Sequence, residues 1–383
     1  MFSRRTDWPR GDNAPSVAWA RRVSTGLRCI DLTETNPTRV GLPAVDVDLK
    51  AAAPGWHLYD PEPFGRSEAR EAVAAYHHGL VRAEQVVLTA STSESYAQLL
   101  QLACDPGDRV LVPAPSYPLF DDLARLAAVE LVPYPSWEAD GWQVDLHRLE
   151  SLADERTKAL VVVAPNNPTG ALLRPHEREA IVSLCARRGL VLVSDEVFAD
   201  YLFDPPEDTV RTLAGEDRCL TFVLSGLSKV CLAPGWKVGW MAASGPRGLL
   251  EEALRRLEMV ADTALSVNAP AQLLLPAQLA RREALQAPLM ARLRTNLAVL
   301  RQGLSGTAGT VLSVDGGWSF MVRLPASLDE EAFVLELIGR DGVRVHPGYY
   351  FDAPRGRYVV VSGLVDEGTF AAGVERLAAR LQG

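Results

Sequence analysis

The chain has 383 residues, 48% apolar and 23% charged, with mean hydropathy near zero. That is the make-up of an ordinary globular protein, longer than one hydrophobic core usually serves and too apolar for a long disordered segment. A formal net charge of −9, with no basic stretch to offset it, excludes nucleic acid and anionic membrane as partners and leaves small molecules. The five cysteines, Cys29, Cys104, Cys185, Cys219 and Cys231, are scattered and odd in number, so neither a disulfide framework nor a zinc or other metal site is expected. They fit a reducing cytoplasm. The opening "MFSRRTDWPRG" lacks the apolar region of a signal peptide, and runs such as "ALVVVA" are too short to span a bilayer.

In chain order, "PFGRSEAREAVAAYHHGL" predicts a helix with Ala72, Val73 and Tyr76 on one face. From Val86 short β-branched runs alternate with amphipathic stretches: "QVVLTA" then "SESYAQLLQLACD", "DRVLVP" then "YPLFDDLARLAA", "KALVVVA" then "PHEREAIVSLCARR", followed by "GLVLVSDE" and "CLTFVLS". Continuous apolar runs without period-two alternation mark strands buried on both faces, so the expectation is an α/β domain with a mostly parallel sheet covered by helices. Beyond Ser266 the texture changes to a long Arg/Leu-rich helix, "LQAPLMARLRTNLAVLRQGL", and short strands around "GGWSFMVRL" and "RYVVVSGL". This predicts a smaller α+β domain. The expected division is an N-terminal arm over 1–45 packing with the small domain, a large domain over 46–265 and the small domain over 266–383.

Ligands of open parallel sheets bind beyond the carboxyl ends of the strands. Three such ends carry chemistry: "PNNPTG" after "KALVVVA", Asp195-Glu196 after "GLVLVS", and "GLSK", ending at Lys229, after "CLTFVLS". Taken singly, "NNPTG" reads as a turn, Asp195 as a helix cap and Lys229 as a solvated amine. Together they read differently. A carboxylate at a buried strand end needs a cationic partner, and a lysine in a dry crevice loses its charge and becomes nucleophilic. Pyridoxal phosphate asks for this pairing, an amine for its aldehyde and an acid against its ring nitrogen.

The ordered set of motifs resembles the class I/II aminotransferases, fold-type I pyridoxal-phosphate enzymes, from about Asp31 to the C-terminus. The resemblance implies that Lys229 forms the imine with the cofactor and carries the proton at the substrate Cα, that Asp195 keeps the ring nitrogen protonated, and that Asn167 donates to the phenolic oxygen. It implies that Tyr117, in "PSYP", stacks on the ring. In "LTASTSESY" a turn of small hydroxyl residues leads into a helix start, whose free amides and dipole favour an anion, so Thr92 and Ser93 are the expected phosphate contacts. Ser91 or Thr92 serving as a helix cap is compatible with this. Lys237 follows "PGW" where the family usually has an arginine on the phosphate. Tyr59, in "YDPEPFG", resembles the tyrosine that reaches the neighbouring subunit's phosphate, which implies a homodimer with shared sites; its alternative is a buried core tyrosine.

Two departures touch the substrate side. Phe198 stands where a tyrosine commonly donates to the phenolic oxygen, a loss expected to raise the pKa of the lysine–cofactor imine. Tyr201, one turn along, is a substitute donor if it points inward. Val360, in "VVVS", stands where the family has the arginine that binds the substrate carboxylate. Arg357 and Arg39 are the replacement candidates, each equally readable as a surface arginine, while Trp318 and Tyr349 are candidates to shape the substrate pocket. The resulting expectation is an aminotransferase working between an amino acid and a 2-oxo acid. The alternatives are a lyase of the same fold acting on an unusual amino acid and a non-catalytic cofactor-binding module.

Overall fold

The computed structural model describes residues 2–8, 11–43, 55–139, 141–265, 267–353 and 357–382. Its strands, in chain order, are β1 (Ile30–Asp31), β2 (Val86–Thr89), β3 (Arg109–Ala114), β4 (Glu130–Ala139), β5 (Gly141–Val144), β6 (Thr157–Val163), β7 (Val191–Asp195), β8 (Thr221–Gly226), β9 (Gly239–Ser244), β10 (Thr310–Val311), β11 (Ser319–Arg323), β12 (Val343–Arg344), β13 (His346–Pro347) and β14 (Tyr358–Ser362). The alternating apolar runs form one sheet in the order β2-β9-β8-β7-β6-β3-β4-β5. Strands β8, β7, β6, β3 and β4 are mutually parallel, and β9 runs against both its neighbours.

Helices cover both faces, which is why these strands lack an alternating polar side. On one face Leu160, Leu192, Val223 and Trp240 meet α1 (Ser67–Tyr76) and α4 (Pro175–Arg188). On the other, Val161, Val193, Phe222 and Met241 meet α2 (Thr92–Ala103), α3 (Leu119–Ala127) and α6 (Arg247–Ala264). Local signals set the ends of these helices. Ser91 caps α2 by accepting from the Glu94 amide at 3.2 Å, and α4 stops at Gly189, whose φ of +66° an L side chain rarely adopts. Between α4 and α6, the short α5 (Leu227–Val230) follows directly on β8.

A second core lies C-terminal. Leu289, Leu293 and Leu297 of α8 (Arg282–Gly303), Phe320 and Val322 of β11, Val359 and Val361 of β14, and Phe370 and Leu377 of α9 (Glu367–Gln382) share it with Ile30 and Leu32 from the N-terminal segment. There β1 pairs in parallel with β12, and four short strands form a sheet in the order β10-β11-β14-β13. The expected junctions at 45/46 and at Ser266 lie outside the described residues. The helix just beyond the second junction, α7 (Ala269–Ala280), packs not in the small core but in the first one, where Ala271, Leu275 and Leu279 join Ala69 and Val73 of α1. Apolar contacts change over inside α8: Leu285 still packs against the first core, and Leu289 is in the second. An all-round apolar helix such as α7 fits either core by composition alone, so its allegiance is decided by what it meets.

One backbone contact fixes the sheet against its helices. Gly239 opens β9 where it passes the turn after β2, and a Cβ there would stand 3.0 Å from Ser91 C and 3.1 Å from Thr92 N. Gly239→Ala therefore forces the β9 backbone and the α2 start apart. The expected loss is about 1–3 kcal/mol, read as a lower urea midpoint.

Candidate active site

Because the parallel strands end at one edge of the sheet, the residues that follow them converge. A cavity of about 500 Å³ lies there, lined by Asp195, the last residue of β7, Lys229 on α5, Asn167 after β6 and Tyr117 after β3. Thr92 and Ser93 line it from the first turn of α2, and their amides have no acceptor among the described residues. The antiparallel β9 brings Gly239 to the same edge.

The two ionisable groups at the centre are both driven toward neutrality. Burial lowers the Lys229 amine to about 8, opposed only in part by Asp195. Its Nζ stands 4.7 Å from the Trp318 ring centroid and 5.6 Å from that of Phe198. Burial raises Asp195 to about 6, against the pull of the Val197 amide, the Tyr96 hydroxyl and Lys229. Tyr96 donates to Oδ2 at 3.0 Å and Val197 N–H to Oδ1 at 3.2 Å. The carboxylate is thus positioned by hydrogen bonds yet under-neutralised. Such a lysine is a usable nucleophile near neutral pH.

The two adjacent asparagines divide the readings of "PNNPTG" between them. Asn166 holds the turn: its Oδ1 accepts from the Thr169 amide and hydroxyl at 3.3 and 3.0 Å, and its Nδ2 donates to Pro115 O at 3.2 Å. Asn167 accepts from Ser319 Oγ at 3.3 Å, and its NH₂ has no acceptor among the described residues. Trp318 lines the cavity from the small core, whereas Tyr349 does not.

Other expected residues do not line the cavity. Lys237 is exposed in a left-handed conformation with φ +55°, and Tyr59 is 84% exposed, not a core tyrosine. Arg39 is exposed at the end of a short turn. Arg357 is exposed and donates to Ala326 O at 2.7 Å, just before β14 rather than on the cavity side of it. Tyr201 is fully buried, and its hydroxyl donates to the Lys229 carbonyl at 2.6 Å, so it is not directed at the cavity as a substitute for the hydroxyl missing at Phe198. Val360 does line the cavity.

Sequence reasoning missed Tyr96, Ser228 and His346, all at the cavity. Tyr96 had a signal, a hydroxyl one helical turn beyond the Thr92-Ser93 amides. His346 had none, since only strand pairing puts it there. Among the described residues no group of three or more His, Cys, Asp or Glu side chains is arranged to hold a metal, and no helix is long and apolar enough to cross a membrane.

Fold and site together define an α/β enzyme that places a half-buried primary amine and a half-buried carboxylate on one cavity. The chain belongs to the class I and II aminotransferase family, whose model matches residues 29–376, and it is an aminotransferase, moving an amino group from an amino acid to a 2-oxo acid. It is 31% identical over 374 residues to alanine aminotransferase of Mycobacterium tuberculosis, covering 94% of this chain and 86% of that one. It is also 31% identical over 267 residues to glutamate-pyruvate aminotransferase of Escherichia coli, covering 67% of this chain and 65% of that one. Its fold matches that of a mutant of Thermus thermophilus aspartate aminotransferase along the full length of both chains, at a TM-score of 0.84 and 27% identity. The architecture is fold-type I.

Beside Asp195, the buried Glu196 accepts from Ser194 Oγ and the Leu213 amide, both at 2.8 Å, and burial raises it from 4.5 to about 7. The folded protein therefore holds this proton more tightly than the unfolded chain, and stability falls as pH rises from about 4.5 to about 7. Glu196→Gln removes that contribution. Between pH 4.5 and 7.5 the variant should lose less stability than the wild type, by up to about 3 kcal/mol at about 1.4 kcal/mol per tenfold change in proton affinity, measured by urea unfolding at each pH.

Proposed function

We propose that the aminotransferase works with pyridoxal phosphate bound in the sheet-edge cavity, with Lys229 and Asp195 as its catalytic residues. The observation that carries this reading is the under-neutralised Asp195 carboxylate facing the same cavity as a lysine whose charge is already weakened. The donor set fits the cofactor's groups one by one: an amine for the aldehyde, a carboxylate for a protonated ring nitrogen, an amide NH₂ for the phenolic oxygen, and unpaired helix-start amides for the phosphate. A Cβ on Gly239 would crowd that helix start, and glycine keeps it open.

When bound, the cofactor supplies an electron-withdrawing ring that stabilises negative charge at the substrate Cα. Asp195, fixed by Tyr96 and Val197, keeps a proton on the ring nitrogen. Lys229 would hold the cofactor through its aldehyde and would move the proton at the substrate Cα, a role suited to an amine lowered to about 8. Asn167 donates its free NH₂ to the phenolic oxygen. Thr92, Ser93 and Ser228 hold the phosphate through amides and hydroxyls, with Lys237 adding charge from the rim as a point cation rather than a bidentate fork. Tyr117 covers one face of the ring, and Trp318 and Phe198 exclude water around the lysine.

The same reading extends to assembly and place. The small core together with residues 11–43 forms one domain and the sheet core the other. The protein is a homodimer to which Tyr59 contributes across the interface. In support, Trp56, Leu58 and Tyr59 lie consecutively exposed around His57, at 55%, 61% and 84%. Five free cysteines suit a cytoplasmic location.

Borohydride reduction of the holoenzyme followed by intact-mass and peptide analysis should find the cofactor on Lys229. Lys229→Ala should lose the adduct and nearly all amino transfer, while Asp195→Asn should keep the adduct and lose roughly 10²–10⁴-fold in rate. An adduct on another residue, or full turnover in Lys229→Ala, rejects the assignment.

A further inference from the structure

Part of the cavity wall is built by the small core. Trp318, Ser319, His346, Tyr350, Val360 and Ser362 line it. Part of its hydrogen-bonding capacity is already used. Ser319 Oγ donates to Asn167, Ser362 Oγ donates to Glu34 O at 2.5 Å, and Val360 has nothing to offer. The nearby Arg344 points elsewhere: it pairs with Asp31 at 3.4 Å and lies 5.6 Å from the Trp19 ring.

Three donors on this wall remain without a protein acceptor. His346 stands in register opposite Val360 across the antiparallel β13–β14 pair, so both side chains project to the same face. Neither of its ring nitrogens has a hydrogen-bond partner among the described residues. The Tyr350 ring is 5.8 Å from the His346 ring, and its hydroxyl is buried and unpartnered, as is Trp318 Nε1. Buried polar groups are normally satisfied, so the Tyr350 hydroxyl and Trp318 Nε1 mark a place where an acceptor belongs, and the half-buried His346 ring lines the same cavity beside Tyr350.

Every substrate of an aminotransferase that works between amino and 2-oxo acids carries a carboxylate beside the reacting carbon, and that carboxylate needs donors once it leaves water. We propose that His346, with the Tyr350 hydroxyl beside it, forms the subsite for the carboxylate of the amino acid and the 2-oxo acid. The proposal rests on the reading that amino transfer takes place in this cavity at Lys229. Burial and Arg344, opposed by Asp31, hold the imidazole down to about 4, so at neutral pH it contributes an N–H rather than a positive charge. Recognition by a neutral, directional donor is weaker than a guanidinium pair and less sensitive to salt.

The test uses holoenzyme, the proteinogenic L-amino acid it converts fastest, and the amine that differs from that amino acid only in lacking the carboxylate. His346→Leu should raise KM for the amino acid roughly 10- to 100-fold with little change in kcat, and lower the preference for amino acid over amine by the same factor. His346→Asn keeps an N–H donor and should recover part of both. Should His346→Leu fail to fold, Tyr350→Phe and His346→Asn carry the same comparison, each expected to reduce the preference. An unchanged KM and preference, in variants that bind cofactor as the wild type does, overturns the subsite. Failure of the underlying reading is distinguishable: wild-type protein would transfer no amino group, or Lys229→Ala would remain active, and the subsite would fall with it.

Discussion

Everything at this site depends on the partial burial of Asp195 and Lys229 at one cavity. In water the two would be fully charged and indifferent to each other. At the end of β7 the carboxylate has a hydroxyl and an amide for company, and burial still raises its proton affinity; burial weakens the proton affinity of the lysine. Their mutual attraction offsets only part of the desolvation. The pair is therefore not a resting salt bridge but a set of unmet demands, an acid in need of a cation and an amine ready to react. A protein that maximised its own stability would bury apolar groups here.

That burial is a product of the sheet. Five parallel strands deliver their carboxyl ends to one edge, and the reversed β9 brings glycine against the helix start instead of a side chain. Strands covered on both faces give the edge a rigid foundation, since every second residue of β6, β7 and β8 is anchored in a different core. Rigid placement matters more for this pair than proximity, because a group whose proton affinity is set by burial loses that setting when it moves into water.

The strand-end lining of the cavity was legible in the sequence and its small-core lining was not, for a physical reason. Lys229, Asp195 and Asn167 each follow an apolar strand run directly, so their location needs only the rule that parallel strands end together. Likewise the small hydroxyl residues at the start of α2 are readable in the sequence as a helix start with free amides. His346 sits there through a two-residue strand paired to β14, and no periodicity reveals a partner that distant in sequence. Arg357 failed as a carboxylate contact for the related reason that it lies outside the strand and is held by Ala326, facts set by the loop before β14 rather than by composition. The allegiance of α7 was hidden too, because an apolar helix does not say which core it joins.

The division between the two linings is not complete, and the seam between the cores explains how they act together. Gly317 N–H donates to Tyr201 O at 2.8 Å, and Ser116 N–H donates to Phe351 O at 2.8 Å, so the small core is bonded to the loops that follow β7 and β3. Trp318, carried on that seam, reaches Lys229. Ser319, next to it, donates to the Asn167 carbonyl, and an amide held by its oxygen must present its NH₂ the other way. A residue of the small core thereby orients an amide of the sheet core. Any shift of β11 also turns Asn167, so on the proposed reading of the site specificity and reactivity are not independently adjustable.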